Sequence, residues 1–269
     1  MINTNFGLLK VLIMMRNSNL LFIVLLCSLL LSCRNECNVT IMGGGSVKVV
    51  GSLENNTGPS ISAVQSIVQK GREAIDDIKR PVIGEAALPL KKFIPESPLM
   101  NFAADALYVM AQRYSNVPID IAITNKGGLR SDLPQGTITF GDIYNVFPFE
   151  NTLAMLTLDG GQLQQLCREI ASVGGEAVCG LELQITPDGD LLEATVRGKA
   201  IDPAKNYRIA TSDFLSQGND KMTALALGVD RDVRSDVTIR DLMVQYIKEL
   251  ASKGKKLTAK CDGRIKVKK

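Results

Sequence analysis

Apolar positions recur at three-and-four spacing in some stretches of the chain and alternate in others, and these two periods separate helices from strands. Ile61, Val64, Ile67, Val68 and Ile75 form a helical stripe reaching about Ile78. Val82-Ile83 then reads as a short strand ended by Gly84. Ser97-Pro98 predicts a helix start: the hydroxyl can cap a free N–H, and proline in the first turn gives up no hydrogen bond. Leu99, Phe102, Ala103, Ala106, Leu107 and Met110 continue that helix along one apolar face. Ile119 to Thr124 predicts a strand running into Gly127-Gly128, and Thr137 to Phe140 a second one before a helix start at Gly141-Asp142. Thr152 to Leu158 is a further strand, with Asp159 placed to cap a helix that runs to about Ser172. Leu181, Leu183 and Ile185 alternate, Pro187 to Asp190 turns the chain, and Leu192, Ala194 and Val196 alternate again, which is a hairpin. Tyr207 to Thr211 is one more strand, and after a polar loop Ile239, Leu242, Met243, Tyr246, Ile247 and Leu250 mark a terminal helix.

Helices and strands therefore interleave through both hairpins and crossovers, which predicts an α+β domain of mixed β-sheets with packed helices over residues 61–269. Residues 34–60 are rich in Gly, Asn and Ser, with one β-prone stretch at Val47 to Val50, and read as a tether. No internal repeat, Gly-x-Gly-x-x-Gly or Walker loop occurs.

The N-terminal pattern is different. Leu20 to Leu31 is an almost unbroken apolar run, preceded by Arg16 and followed by Ser32-Cys33 and polar Arg34-Asn35-Glu36. It is shorter than the roughly 20 apolar residues of a spanning helix. The order resembles a bacterial lipoprotein signal over residues 1–33, cleaved to leave a lipidated Cys33 that anchors the chain to a membrane in the cell envelope, on the periplasmic or surface side. An uncleaved N-terminal anchor is the alternative, and Met15 is an alternative start. Export leaves Cys37, Cys167, Cys179 and Cys261 where disulfides are permitted. Four thiols allow three pairings; Cys167 with Cys179 is favoured by the turn at Gly174-Gly175, and buried free thiols are the alternative.

Composition narrows the chemistry. The 31 basic and 28 acidic residues nearly cancel, so no strong field points to nucleic acid. The basic Arg264 to Lys269 run has no interleaved aromatics and reads as a solvated tail. The 269 residues include no histidine, which excludes nearly all imidazole-dependent zinc sites, two-metal phosphatase sites and Ser/Cys–His relays. Cys167 and Cys179 form no C-x-x-C knuckle.

Three segments in order carry a resemblance. Glu96-Ser97-Pro98-Leu99-Met100-Asn101-Phe102-Ala103-Ala104-Asp105-Ala106 is similar to an E-S-x-L-G-N-L-x-A-D-A helix. Thr124 to Arg130, Gly136 to Thr139 and Phe147-Pro148-Phe149 are similar to N-G-G-G-I-R, G-x-I-T and a P-F pair. Tyr207 to Asp220 is similar to Y-x-V-A-x-N-D-F-L-A-x-G-G-D. Together they resemble the C-terminal, substrate-binding domain of the 5′-nucleotidase and UDP-sugar hydrolase family. In that family a separate calcineurin-like domain holds two metals.

The resemblance implies that Phe149 and Phe214 sandwich a base, Asp220 accepts from ribose hydroxyls, Asn125 touches base or sugar, and Arg130 pairs with phosphate. Gly127, Gly128 and Gly218 shape the loops. These roles are physically sensible, since aromatic stacking contributes about 1–3 kcal/mol per base and guanidinium matches phosphate oxygens. Read without the resemblance, the two rings are core aromatics, Gly127-Gly128 is a tight turn and Arg130 pairs with Asp132. Asp105 and Asp142 read as structural residues; Asp213 beside Asp220 reads as a pair of carboxylates for acid–base work, whereas the motif makes Asp213 a loop-shaping residue. Lys126, Asn219 and Lys221-Met222 depart from the family pattern. Phe93 stands where a basic residue is usual, with Lys91 or Lys92 as substitutes. The expected function is the nucleotide-recognition part of a 5′-nucleotidase-type hydrolase acting on a nucleotide, nucleoside or UDP-sugar. The two divalent metals then belong to a separate metallophosphatase chain. A stand-alone nucleoside- or nucleotide-binding envelope lipoprotein without hydrolase activity is the alternative.

Overall fold

The computed structural model describes residues 38–41, 45–48 and 59–268. The signal segment, Cys33, Cys37 and most of the tether lie outside them. The chain divides after Ala63 into two units. In the first, Asn38–Ile41 (β1) and Gly45–Lys48 (β2) pair as an antiparallel hairpin, within a stretch where only Val47 to Val50 was expected to favour a strand. A helix, Pro59–Lys79 (α1), follows.

In the second unit Val82–Ala86 (β3) pairs with Gly136–Thr139 (β5), and between them lie Pro98–Ala111 (α2) and Ile121–Thr124 (β4). Phe140–Val146 (α3), Thr152–Asp159 (β6) and Gly160–Ser172 (α4) come next, then Ala177–Cys179 (β7), Leu181–Ile185 (β8), Leu191–Val196 (β9) and Lys199–Ala200 (β10). Asn206–Ser212 (β11), Asp213–Ser216 (α5), Thr223–Ala226 (α6), Val229–Thr238 (β12), Ile239–Ser252 (α7) and Ile265–Val267 (β13) complete it.

The central sheet has the order β12-β6-β11-β4-β7, with β11 and β4 parallel and its other pairs antiparallel. A second sheet runs β10-β9-β8-β13, with β13 parallel to β8. The architecture is therefore α+β on mixed sheets. Strands β4, β6 and β11 are apolar on both faces. Leu153 and Met155 of β6, Ala122 of β4 and Ala210 of β11 face a core shared with α2 and α7. Leu156 and Leu158, Ile121 and Ile123, and Tyr207 and Ile209 face a core shared with α4 and the second sheet. Alternation along a strand sends neighbours to opposite faces, and each such large buried side chain contributes about 1.5–3 kcal/mol.

Capping fixes where the helices begin. Ser97 accepts from the Met100 N–H at 3.3 Å. Thr139 and Asp142 form a reciprocal capping box for α3, as Asp159 and Gln162 do for α4. Asp142 is thus a capping residue, as expected.

Several readings change. The α1 helix exists, but Val64, Ile67 and Val68 of its stripe are about half exposed. Cys167 and Cys179 are free thiols, so the favoured pairing is absent. The basic tail is not solvated throughout: Arg264 leads into β13, and its guanidinium binds Asp105, Asp262 and the Val178 carbonyl. That pairing gives Asp105 its structural role.

Candidate functional site

At the ends of β4, β6 and β11 the chain makes three turns that face one cavity of about 300 Å³. Asn125, Gly127, Arg130, Phe149, Asn151, Phe214 and Asp220 line it. All five side chains expected to bind substrate meet there. Asn151 was not anticipated, because an isolated asparagine two residues beyond an aromatic has no distinguishing spacing.

The first turn, Lys126–Gly128, is a single 3-10 turn entered from β4. The buried Asn125 carries its amide to Asp220, with Nδ2 donating to Oδ2 at 2.5 Å. A side chain at Gly128 would begin 2.8 Å from Asn125 Oδ1, so glycine is needed for close approach. Neither Gly127 nor Gly128 has positive φ, so the pair makes an ordinary tight turn. Arg130 does not bind Asp132, which instead accepts from the Lys92 N–H. Its guanidinium lies 6.0 Å from the Phe149 ring centroid and donates weakly to the Gly127 carbonyl at 3.4 Å. Among the described residues it has no ion pair, which leaves it available at the cavity edge. Lys92 donates to the carbonyls of Leu129 and Lys126, bracing the same turn.

The second turn follows α3. Phe147 is buried and meets Phe102 edge-on at 6.5 Å, whereas Phe149, two residues later, is half exposed. Arg240, at the start of α7, holds the intervening chain. Its buried guanidinium donates to the Phe147 and Pro148 carbonyls, pairs with Glu150 and stacks over Tyr144 at 4.6 Å. Nothing in the sequence pattern near Arg240 marked this contact, which spans about ninety positions.

The third turn is α5 and its exit. Ser212 caps Leu215, while Asp213 accepts from the Thr152 N–H at 2.9 Å, tying the turn to β6. This makes Asp213 a loop-shaping residue. Phe214 is partly buried against the α4-side core. Gly218 has φ +88° and lets the chain reverse behind the cavity wall. Asn219 donates to the Phe214 carbonyl at 2.9 Å, and Asp220 and Lys221 adopt φ of +53° and +66°. Met222 is fully buried.

Lys126 turns away from the cavity. Its ammonium donates to the carbonyls of Val173 and Gly175 at 2.9 and 2.7 Å and pairs with Glu176 at 3.0 Å. Burial pushes the Glu176 carboxyl above the ordinary carboxylate range, against the pull of the Lys126 N–H and ammonium.

A model of the 5′-nucleotidase C-terminal domain matches residues 82–227, more than half of the chain and all three turns. The chain belongs to the 5′-nucleotidase C-terminal domain family. The trifunctional nucleotide phosphoesterase protein YfkN of Bacillus subtilis (strain 168) is 29% identical over 80% of this chain and 16% of its own length. Cell wall protein Lmo0130 of Listeria monocytogenes is 30% identical over 71% of this chain and 26% of its own. Among solved structures, the 5′-nucleotidase precursor of Thermus thermophilus superposes with a TM-score of 0.65 at 25% identity, covering 77% of this chain and 43% of that one. The chain therefore spans about a quarter or less of these curated relatives and under half of that solved structure.

Membership in the family raises the question of metals. The chain has no histidine, and among the described residues no three Cys, Asp or Glu side chains converge as ligands. The donor set of the described residues does not fit a two-metal centre. A second cavity, of about 350 Å³, is lined by Cys179, Arg197, Asp262 and Arg264 among others. Three of its charged side chains are internally engaged: Arg264 pairs with Asp262 as well as with Asp105, and Arg197 stacks on Tyr108 at 5.1 Å. Burial pushes the Cys179 thiol up to about 12, so it stays protonated.

Proposed function

We propose that the cavity takes the nucleoside portion of a nucleotide or a related substrate, and that this chain serves as the recognition part of a 5′-nucleotidase-type hydrolase. The convergence of Asn125, Arg130, Phe149, Phe214 and Asp220 on one cavity carries this reading. Two aromatic rings offer stacking faces that any base can use, and a carboxylate beside them suits vicinal sugar hydroxyls. Arg130, at the rim, suits a phosphate leaving the sugar toward solvent.

No residue in the cavity is arranged as a nucleophile or as an imidazole base. In this reading bond cleavage belongs to a separate metallophosphatase chain, which would hold the two divalent metals. The apolar run of Leu20 to Leu31 before Ser32-Cys33 supports a lipid anchor, and the cell wall relative supports an envelope location. Calorimetry of the full chain with adenosine, uridine and their 5′-monophosphates tests the reading. We expect saturable binding, with the monophosphates tighter through Arg130. Arg130→Ala should remove that difference and leave nucleoside binding intact. Absence of binding for all four compounds overturns it.

A further inference from the structure

We infer that Lys126 and Glu176 form a positioning clamp for the substrate cavity, holding the Asn125–Arg130 turn against the end of α4; this rests on the nucleoside reading of that cavity. An ammonium has three donors, and those of Lys126 meet three acceptors: the carbonyls of Val173 and Gly175 and one oxygen of Glu176. No donor remains for a ligand anion. The two carbonyls lie just past α4, where a helix end favours a cation. The other Glu176 oxygen accepts the backbone N–H of Lys126, so one carboxylate fixes both the main chain and the side chain of this residue.

Both ends of the clamp are built in. The Glu176 side chain is 4% exposed. It follows Gly175, whose φ is +107° and whose added Cβ would lie 2.3 Å from the Pro95 carbonyl oxygen, so its starting point cannot drift. On the other side Lys126 is bonded directly to Asn125, whose amide meets Asp220 across the cavity. A shift of Lys126 therefore moves the Asn125–Asp220 contact. Lys126 thus acts through Asn125 as a positioning residue rather than as a phosphate ligand.

The test uses the full chain in detergent: the parent, Lys126→Gly, Glu176→Gln and the conservative Lys126→Arg. Hydrogen exchange of the Lys126, Gly128 and Leu129 amides is measured without ligand, and calorimetry follows with adenosine, uridine and their 5′-monophosphates. In Lys126→Gly and Glu176→Gln the three amides should exchange about tenfold faster than in the parent, on the order of one charge-assisted hydrogen bond, while core strands keep their protection. Each nucleoside and its monophosphate should lose affinity by the same factor, about five- to tenfold, and Lys126→Arg should stay within about threefold of the parent. Unchanged exchange overturns the clamp, as does acceleration spread evenly over the core, which would make the pair merely structural. A loss confined to the monophosphates also overturns it, by making Lys126 a phosphate ligand. If the parent binds none of the four compounds, the nucleoside reading falls and the exchange data alone decide the clamp.

Discussion

Asn125 and Asp220 meet across the cavity, but the turns that carry them are held by different means. The Asn125 turn has ordinary backbone angles and is fastened from outside by a mostly buried ion pair and by the Lys92 ammonium. Among the described residues no ion pair holds the Asp220 turn: Asp213 ties it to β6 through the Thr152 N–H and Arg231 donates to the Ser216 carbonyl, while the reversal itself rests on a glycine and two non-glycine residues at positive φ, with Asn219 bonded back to Phe214. One wall is sensitive to charge and the other to conformation. Conserving a side chain's size should therefore matter differently on the two sides.

The largest contrast should come from the two rings. Phe214→Ala empties part of the α4-side core and should cost about 2–4 kcal/mol of stability, whereas half-exposed Phe149 can be truncated for about 0.5 kcal/mol or less. Both variants should lose about 1–3 kcal/mol of nucleoside affinity. Denaturant unfolding paired with calorimetry checks this, and equal stability losses would show that the rings are embedded alike. Next in size is Gly128→Ala. Its methyl would press on Asn125 Oδ1 and drive the amide away from Asp220, costing about 1–3 kcal/mol in overpacking and weakening ligand binding. Unchanged unfolding and affinity would mean that the Asn125 turn is less tightly held than its clamp requires.

Much of this was legible in the sequence, for reasons that differ by residue. The capped starts at Ser97 and Asp159 and the alternating hairpin of β8 and β9 follow from local chemistry, and the five residues that line one cavity follow from motifs whose order survives. The β12 strand looks like a polar loop in the sequence because Val-Asp-Arg-Asp-Val-Arg-Ser-Asp lies at a sheet edge, where exposed charges replace the apolar alternation. Short β13 was hidden in a basic tail because its pairing with β8 is contributed by distant chain. Glu176 and Arg240 could not be found by spacing: each acts on the site through a contact 50 or more positions away. The clamp had one visible trace, the lysine at position 126 in a glycine motif.

A smaller test places the same substitution on each wall. Lys126→Gly removes a buried partner and should destabilise, whereas Lys221→Gly relieves a side chain at φ +66°. A left-handed residue costs roughly 1–2 kcal/mol, and the added freedom of glycine in the unfolded chain returns about 0.5–1 of that. The net gain for Lys221→Gly is about 0.5 kcal/mol, or a rise in Tm of roughly 1–2 °C for a domain of this size. Nucleoside affinity should be unchanged. Thermal unfolding of the two variants should thus shift in opposite directions; a shared sign would mean that the two walls are held by the same kind of force.

The smallest effect is a dependence on pH confined to the clamped wall. Burial raises the folded-state affinity of Glu176 for a proton, the Asp220 charge adds to that push, and Lys126 opposes it without cancelling it. Between the ordinary glutamate value and the raised one, the folded chain therefore binds more protons than the unfolded chain, and linkage requires this group's contribution to stability to grow as pH falls through that window. Protonation also removes the anionic partner of Lys126, so the same fall in pH should loosen the turn and weaken nucleoside binding. Stability and affinity are thus expected to move in opposite directions across the window. Glu176→Gln should flatten this group's contribution to both, while Lys221→Gly leaves both intact. Paired unfolding and calorimetric titrations of parent and variant over mildly acidic pH, compared as differences so that other carboxylates cancel, measure the effect. If parent and Glu176→Gln show identical pH dependence, Glu176 titrates alike in the folded and unfolded chain, and charge does not govern that wall.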